Sequence, residues 1–323
     1  MYRNSNQIHL LQTFLNLLSQ RIIIMRLEKK ATVASSSVAA ILVFIKLAVG
    51  IMSGSIAILA SAIDSLLDLI ISMFNYFALH NAEKDPDEKF HFGRSKLEPL
   101  AAVIEGTIIS LSALFILYEA IAKIIHPTEM QYMTEGIYVM IASVLITGGL
   151  VMFLNYVAKE TNNMVIKADA LHYKTDLFSN GAVLVALFVV SFTGEQLVDA
   201  ILGIGIAVYM IYSAVPIMKE GILMLLDVAL DKEDIEKIKQ ILEDEEAIST
   251  YHYLRTRISG SHIFISVHAV YKDQTISLYD AHVIADKLEA KIKKLFDDDK
   301  KVHILIHMDP YDDLEINDEE EEW

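Results

Sequence analysis

Two pairs of ionisable residues stand inside segments apolar enough for a lipid bilayer. Asp64 and Asp68 lie in "SAIDSLLDLIISMFN", and His172 and Asp176 lie in "DALHYKTDLFSN". A spacing of four puts both members of each pair on one helix face. Ser72 and Asn75 continue the first face; Asp169 and Asn180 extend the second. An isolated charge near the middle of a membrane helix costs about 2.5–3.5 kcal/mol on insertion scales, so such a stripe implies a binding role. Side by side, the two helices would gather three carboxylates and one imidazole. That oxygen/nitrogen set suits a borderline divalent ion such as Zn²⁺. The ion offsets repulsion among the carboxylates, and they replace its lost hydration. Interhelical hydrogen bonding accounts for lone polar residues in such helices but poorly for two matched pairs.

A second set lies near the C-terminus: His252, His268, His282, His307 and Asp309. Alternate positions of a strand share a face, so His307 and Asp309 of "HMDP" point one way. A single histidine here reads as an ordinary surface or core residue; five metal-ligating side chains within about ninety positions read as a site. His262 and His303 are taken as ordinary residues. Cysteine is absent, which excludes disulfides, thiolate zinc sites and cysteine nucleophiles.

These residues need two kinds of scaffold. The chain has 323 residues, is 54% hydrophobic and has a mean hydropathy of +0.40. Six segments are long enough for a hydrocarbon core of about 20 residues: 33–53, 55–79, 98–124, 136–157, 168–192 and 197–217. Lys46 in the first is expected to snorkel to the nearer surface. Linkers after the second and fourth spans carry Lys84, Lys89, Arg94, Lys96, Lys159 and Lys167, whereas those after the first, third and fifth carry no Lys or Arg. The positive-inside rule then places both termini in the cytoplasm. Residues 1–24 are amphipathic and lack a signal-peptide pattern; they are expected to be an interfacial helix or a start-site artefact ahead of Met25.

Residues 25–220 thus form a six-helix membrane domain and 221–312 a polar one. "KEDIEKIKQILEDEEA" reads as a helix, "STYHYLRTRIS" and "HIFISVHAVY" as strands paired around "SGS", "SLYDAHVIADKLEAKIKKLF" as an amphipathic helix, and "KVHILIHMDP" as a third strand stopped by Pro310. That order is α+β and ferredoxin-like. Residues 313–323 are an acidic tail expected to be disordered. The formal net charge of −16 is concentrated in 221–323, where 25 acidic residues face 12 basic ones. An acidic surface argues against nucleic acid and is compatible with collecting cations.

"SGSIAILASAIDSLLDLIISMFN", "FGRSKLEPLAA", "ADALHYKTDLFSN", "LLDVAL", "HYLRTR" and "IHMDP" resemble the cation diffusion facilitator family, nearest its bacterial zinc/iron branch, from about Met25 to Asp309. The resemblance implies six transmembrane helices, a cytoplasmic ferredoxin-like domain and a homodimer in the bacterial inner (cytoplasmic) membrane. It also implies export of a divalent cation in exchange for protons. The transport site falls on Asp64, Asp68, His172 and Asp176. A binuclear cytoplasmic site falls on His252, His268, His282, His307 and Asp309, with Asp309 bridging. An interlock maps to Lys96 and Asp227. The family's loop site, an Asp with two His, is disrupted here. In "PDEKFHFGRSK" Asp87 remains, Phe90 and Arg94 fill the histidine positions, and His91 is shifted by one. The loop site is therefore expected to be missing, or weakly rebuilt from Asp85, Asp87 and His91.

Metal ligands must be deprotonated, so protons and metal compete for the same atoms. His172 is the expected proton carrier, since an imidazole titrates near pH 6.5. Zn²⁺ is the first expectation for the cargo and the regulatory ligand, with Fe²⁺, Cd²⁺ or Mn²⁺ as alternatives. A channel or a non-transporting membrane-bound metal sensor are the competing readings. No nucleophile or phosphate-cradling motif suggests an enzyme.

Overall fold

The computed structural model describes residues 3–53, 56–125, 134–193, 197–296 and 300–312; the acidic tail at 313–323 lies outside them. The chain divides into two units, Met1–Ile222 and Leu223–Trp323.

The first unit is a bundle of six helices: α1 (Arg3–Ser53), α2 (Ile56–Ala82), α3 (Leu97–Ile125), α4 (Thr134–Thr161), α5 (Met164–Thr193) and α6 (Leu197–Leu225, whose last turn belongs to the second unit). Among the described residues five stretches are long and apolar enough to cross a membrane, one each in α1, α2, α3, α4 and α6. α5 spans 30 residues, but its first half carries Lys167, Asp169, His172, Lys174 and Asp176. α1 runs without a break from Arg3 to Ser53, so 3–24 is continuous with the first span. The sequence has no Gly or Pro before Gly50, so nothing in it interrupts the helix.

Small residues let these helices approach closely, as packing in lipid requires. A Cβ added at Gly106 of α3 would lie 2.5 Å from Met218 of α6, and one at Gly221 of α6 would lie 2.7 Å from Val103 of α3. The first half of α5 is largely enclosed. Ile166, Ala170 and Tyr173 join a cluster with Ala31 of α1 and Leu150, Leu154 and Val157 of α4. Leu171 joins Ile109 and Ala113 of α3 with Ala207, Met210 and Ala214 of α6. Its start is set locally. Asn162 adopts a left-handed φ of 50°, ending α4. The Asn163 side chain then accepts from the backbone N–H groups of Val165 (2.9 Å) and Ile166 (3.3 Å), an N-cap.

The second unit contains α7 (Lys232–Glu243), β1 (Ile248–Ser259), β2 (His262–Tyr271), α8 (Leu278–Lys293) and β3 (Lys301–Asp309). The sheet order is β1-β2-β3. β1 and β2 form an antiparallel hairpin, and β3 pairs parallel to β2, with α8 as the crossover that a parallel pair needs. The core includes Ile263, Ile265, Val267 and Ala269 of β2 with Ala281, Ala285, Leu288 and Ile292 of α8 and Ile238 and Leu242 of α7. Both helices therefore cover one face of the sheet, and the alternate residues His262, Phe264, Ser266 and His268 point to the other.

Candidate metal centres

Within the bundle, α2 and α5 bring three of the four expected ligands together. Ligand atoms of Asp68, His172 and Asp176 all lie within 4.8 Å of one another. His172 Nε2 faces both carboxylates, at 3.2 Å from Asp68 Oδ1 and 3.7 Å from Asp176 Oδ2. The imidazole is buried, while Asp68 and Asp176 are half-buried. Asp64 is exposed and lies outside the group, one helical turn nearer the start of α2. A spacing of four gives a shared face but also a rise of about 6 Å along the axis, which the side chains of His172 and Asp176 close and that of Asp64 does not close toward the group.

Three polar features of the bundle escape the residue spacing. Lys46 does not snorkel: it is 7% exposed, and its ammonium donates to Ser65 Oγ at 2.8 Å and to the Ser61 carbonyl at 3.4 Å. Tyr173 OH shares a hydrogen bond with Ser72 Oγ at 2.8 Å and donates to the Ser35 carbonyl at 3.3 Å, tying α5 to α2 and α1. Glu105 of α3 is buried against Asn75 of α2, which also contacts Asp169 of α5. The available signal was a lone Glu inside the apolar run "VIEGTIISLSALF".

In the second unit the register builds the other centre. β1 aligns His252 with His268, and β3 aligns His307 with His268, so three imidazoles form a row across the sheet. Their ring centroids are 5.1 Å apart for His252–His268 and 4.5 Å for His268–His307. A register shift between His252 and Arg255, with Tyr253 at φ 51°, marks a β-bulge. The extra residue lets His252 face the row while Tyr251 and Leu254 still pack on the core. Asp309 is buried at the end of the row. Its Oδ2 lies 3.1 Å from His268 Nδ1 and 3.6 Å from His252 Nε2, and its Oδ1 lies 3.1 Å from His307 Nε2. One carboxylate thus presents one oxygen to two imidazoles and the other oxygen to a third. His282 is not in this group. It lies on α8, which packs on the opposite face of the sheet, is mostly exposed, and stands 3.7 Å from Asp286.

The loop between α2 and α3 is self-satisfied. Asp87 Oδ1 accepts from the backbone N–H groups of Lys89 (3.0 Å) and Phe90 (2.9 Å). Its Oδ2 pairs with Arg94, whose guanidinium lies 4.2 Å from the Phe90 ring centroid. His91 Nε2 instead meets the Glu88 carbonyl at 3.1 Å. The two side chains at the altered histidine positions therefore stack on each other, while the Phe90 N–H and the Arg94 guanidinium hold the remaining aspartate. The N–H groups of Phe90 and Lys89, then Arg94, hold the Asp87 carboxyl below its usual range. A lowered folded value means that the pairing is fully present above about pH 3.9 and is lost as pH falls through that lower value. Arg94→Ala is expected to move the Asp87 titration, followed by NMR, back upward and to leave the number of Zn²⁺ bound by the chain unchanged. Loss of one bound Zn²⁺ in Asp87→Ala would contradict this.

The interlock residues lie in different units. Lys96 stands half-buried one residue before α3. Asp227, at φ 59° just past α6, accepts from Arg257 at 2.9 Å within the second unit.

Residues 32–226 match the profile of the cation efflux transmembrane domain, and residues 230–311 match that of the cation efflux protein cytoplasmic domain. The cation-efflux pump FieF of Escherichia coli (strain K12 / DH10B) is 36% identical over 285 residues, covering 88% of this chain and 93% of the relative. FieF of Escherichia fergusonii matches to the same extent.

Proposed function

This chain belongs to the cation diffusion facilitator family of multi-pass cation efflux transporters, and on that premise we propose that it exports a divalent metal, Zn²⁺ foremost, by proton-coupled antiport as a homodimer. The observation that carries this reading is the group of Asp68, His172 and Asp176, with ligand atoms within 4.8 Å on two helices of the bundle. Three ligands of mixed oxygen and nitrogen leave the fourth position of a tetrahedral ion to be filled. Asp64 is proposed as the fourth ligand, joining from the next turn of the same helix.

His172 Nε2 faces two carboxylates, so a proton there is stabilised by the same groups that would hold the metal. A proton and a divalent cation are mutually exclusive at that atom. With the site open to the cytoplasm, metal displaces the proton; with it open to the far side, protons displace the metal. Rocking of the bundle between the two states gives alternating access, and the proton gradient gives it direction. Both termini are placed in the cytoplasm.

The His252–His268–His307 row with Asp309 is proposed as the binuclear cytoplasmic site, with Asp309 bridging two ions. Metal there would clamp the cytoplasmic domains of the dimer and favour transport. His282 lies outside the group of His252, His268 and Asp309, and its place among the ligands remains part of this proposal. The Lys96–Asp227 interlock remains part of this proposal.

Reconstitution into proteoliposomes tests the reading. With an outward-directed metal pathway and an opposing pH gradient, Zn²⁺ flux is expected to follow the gradient and to collapse on adding a protonophore. Fe²⁺, Cd²⁺ and Mn²⁺ compared side by side rank the cargo. Flux indifferent to the protonophore would favour a channel, and binding without flux would favour a metal sensor.

A further inference from the structure

Three helices each send one polar side chain into a closed pocket beside the transport group. Asn75 of α2 and Asp169 of α5 are fully buried, and Glu105 of α3 is 1% exposed. The Asn75 amide nitrogen donates to Glu105 Oε2 at 3.0 Å and to Asp169 Oδ1 at 3.4 Å. Three atoms remain buried without a hydrogen-bond partner: Asn75 Oδ1, Glu105 Oε1 and Asp169 Oδ2. All three are acceptors. The amide's two N–H donors are already used, so Asn75 has none left for these oxygens.

We propose that Glu105 and Asp169, bridged by Asn75, form a second proton-holding site, separate from the metal ligands, that releases its proton when a divalent cation occupies the group around His172. Two carboxylates on one amide, out of water, cannot both carry charge without a cation. A proton removes one charge and turns one oxygen into a donor. A divalent metal fits less well. The amide N–H groups already stand between the carboxylates, and a hard cation retains water ligands, whereas all three side chains are buried from solvent.

The pocket is placed to sense the metal. Asp169 precedes His172 by three residues on the same stripe of α5. The charged groups facing Glu105 and Asp169 are His172 and Asp176 of α5 and Asp68 of α2; α1 presents the Ser35 hydroxyl. A cation bound by that trio places positive charge beside the pocket and favours its ionised form. By reciprocity, reloading the pocket with a proton weakens the hold on the metal. The proton leaves from a carboxylic O–H of the pair and returns to the same oxygen, with no other bond changed.

This inference rests on metal binding at the His172 group, and the test separates the two. Zn²⁺ binding to the full chain in nanodiscs is measured calorimetrically in two buffers of different protonation enthalpy, which gives protons released per ion. Glu105→Gln is expected to retain measurable Zn²⁺ binding and to release about one proton fewer. In parallel, the Zn²⁺-induced infrared difference spectrum of the unmodified chain is expected to lose a carboxylic-acid C=O band, and Asp169→Asn or Glu105→Gln should lack that change. Zn²⁺ binding with an unchanged proton count, or an unmodified chain with no acid band to lose, overturns the inference. Loss of one bound Zn²⁺ in Glu105→Gln would make the pocket a metal site and also overturn it. No Zn²⁺ affinity attributable to the His172 group defeats the underlying reading instead. Should Glu105→Gln fail to fold, the infrared measurement on the unmodified chain still decides.

Discussion

His172→Ala is expected to cut metal flux by about a hundredfold or more while leaving the helical content of the chain intact. Even partners that only orient a ligand are worth about 10–100-fold in metal affinity or activity. His172 supplies the one nitrogen of the group, at 3.2 and 3.7 Å from the two carboxylates. Without it, Asp68 and Asp176 face each other across a gap with no imidazole between them. Retention of the fold follows from the surroundings, because Tyr173 keeps its hydrogen bonds to Ser72 and Ser35 and continues to lock α5 to α2 and α1. Asp68→Asn, which keeps the shape and removes the charge, should fall nearly as far. Stopped-flow flux in proteoliposomes, with circular dichroism as the folding control, measures both. Flux within a fewfold of the unmodified chain would show that metal takes another route.

Asp309→Ala is expected to abolish metal binding in the cytoplasmic domain while slowing transport rather than stopping it. One buried carboxylate contacts three imidazoles drawn from three strands, so its removal takes a ligand from both proposed ions together. Binding to the folded state alone stabilises by about 2.7 kcal/mol when free metal exceeds Kd a hundredfold. The unmodified domain should gain that much from Zn²⁺, and the variant should gain little. Thermal unfolding of the full chain with and without Zn²⁺ gives the comparison, and proteoliposome flux gives the functional readout. A variant that keeps the full metal-induced shift would remove Asp309 from the ligand set. Flux reduced as far as in His172→Ala would make the cytoplasmic metal obligatory rather than regulatory.

The sequence reveals what depends on local periodicity. Apolar length gives the long helices, alternation gives β1, β2 and β3 close to their observed ends, and a spacing of four gives the shared faces of Asp64/Asp68 and His172/Asp176. It does not reveal depth along an axis, which is why Asp64 stands a turn away from the group its partner joins. The bulge at Tyr253 is similarly hidden. A strict two-residue period puts Arg255 on the face opposite His252, whereas the extra residue puts both on one face. Lys46 illustrates a third gap. A long aliphatic stem can reach the surface or a neighbouring helix, and here the Ser61 carbonyl and Ser65 hydroxyl of α2 offer acceptors that the sequence of α1 cannot report. Glu105 stayed hidden because its meaning lies in Asn75 and Asp169, which come from two other helices.

The central claim is that metal is held in the bundle by one imidazole and aspartate oxygens from α2 and α5. X-ray absorption at the zinc edge tests it most directly, on Zn²⁺-loaded full chain in nanodiscs whose cytoplasmic row has been disabled by His268→Ala and Asp309→Ala. The account predicts a four-coordinate shell with one histidine nitrogen at about 2.0–2.1 Å and oxygens completing it, and loss of that nitrogen signal when His172→Ala is added. An all-oxygen, water-like shell, or a histidine signal that survives His172→Ala, would contradict it.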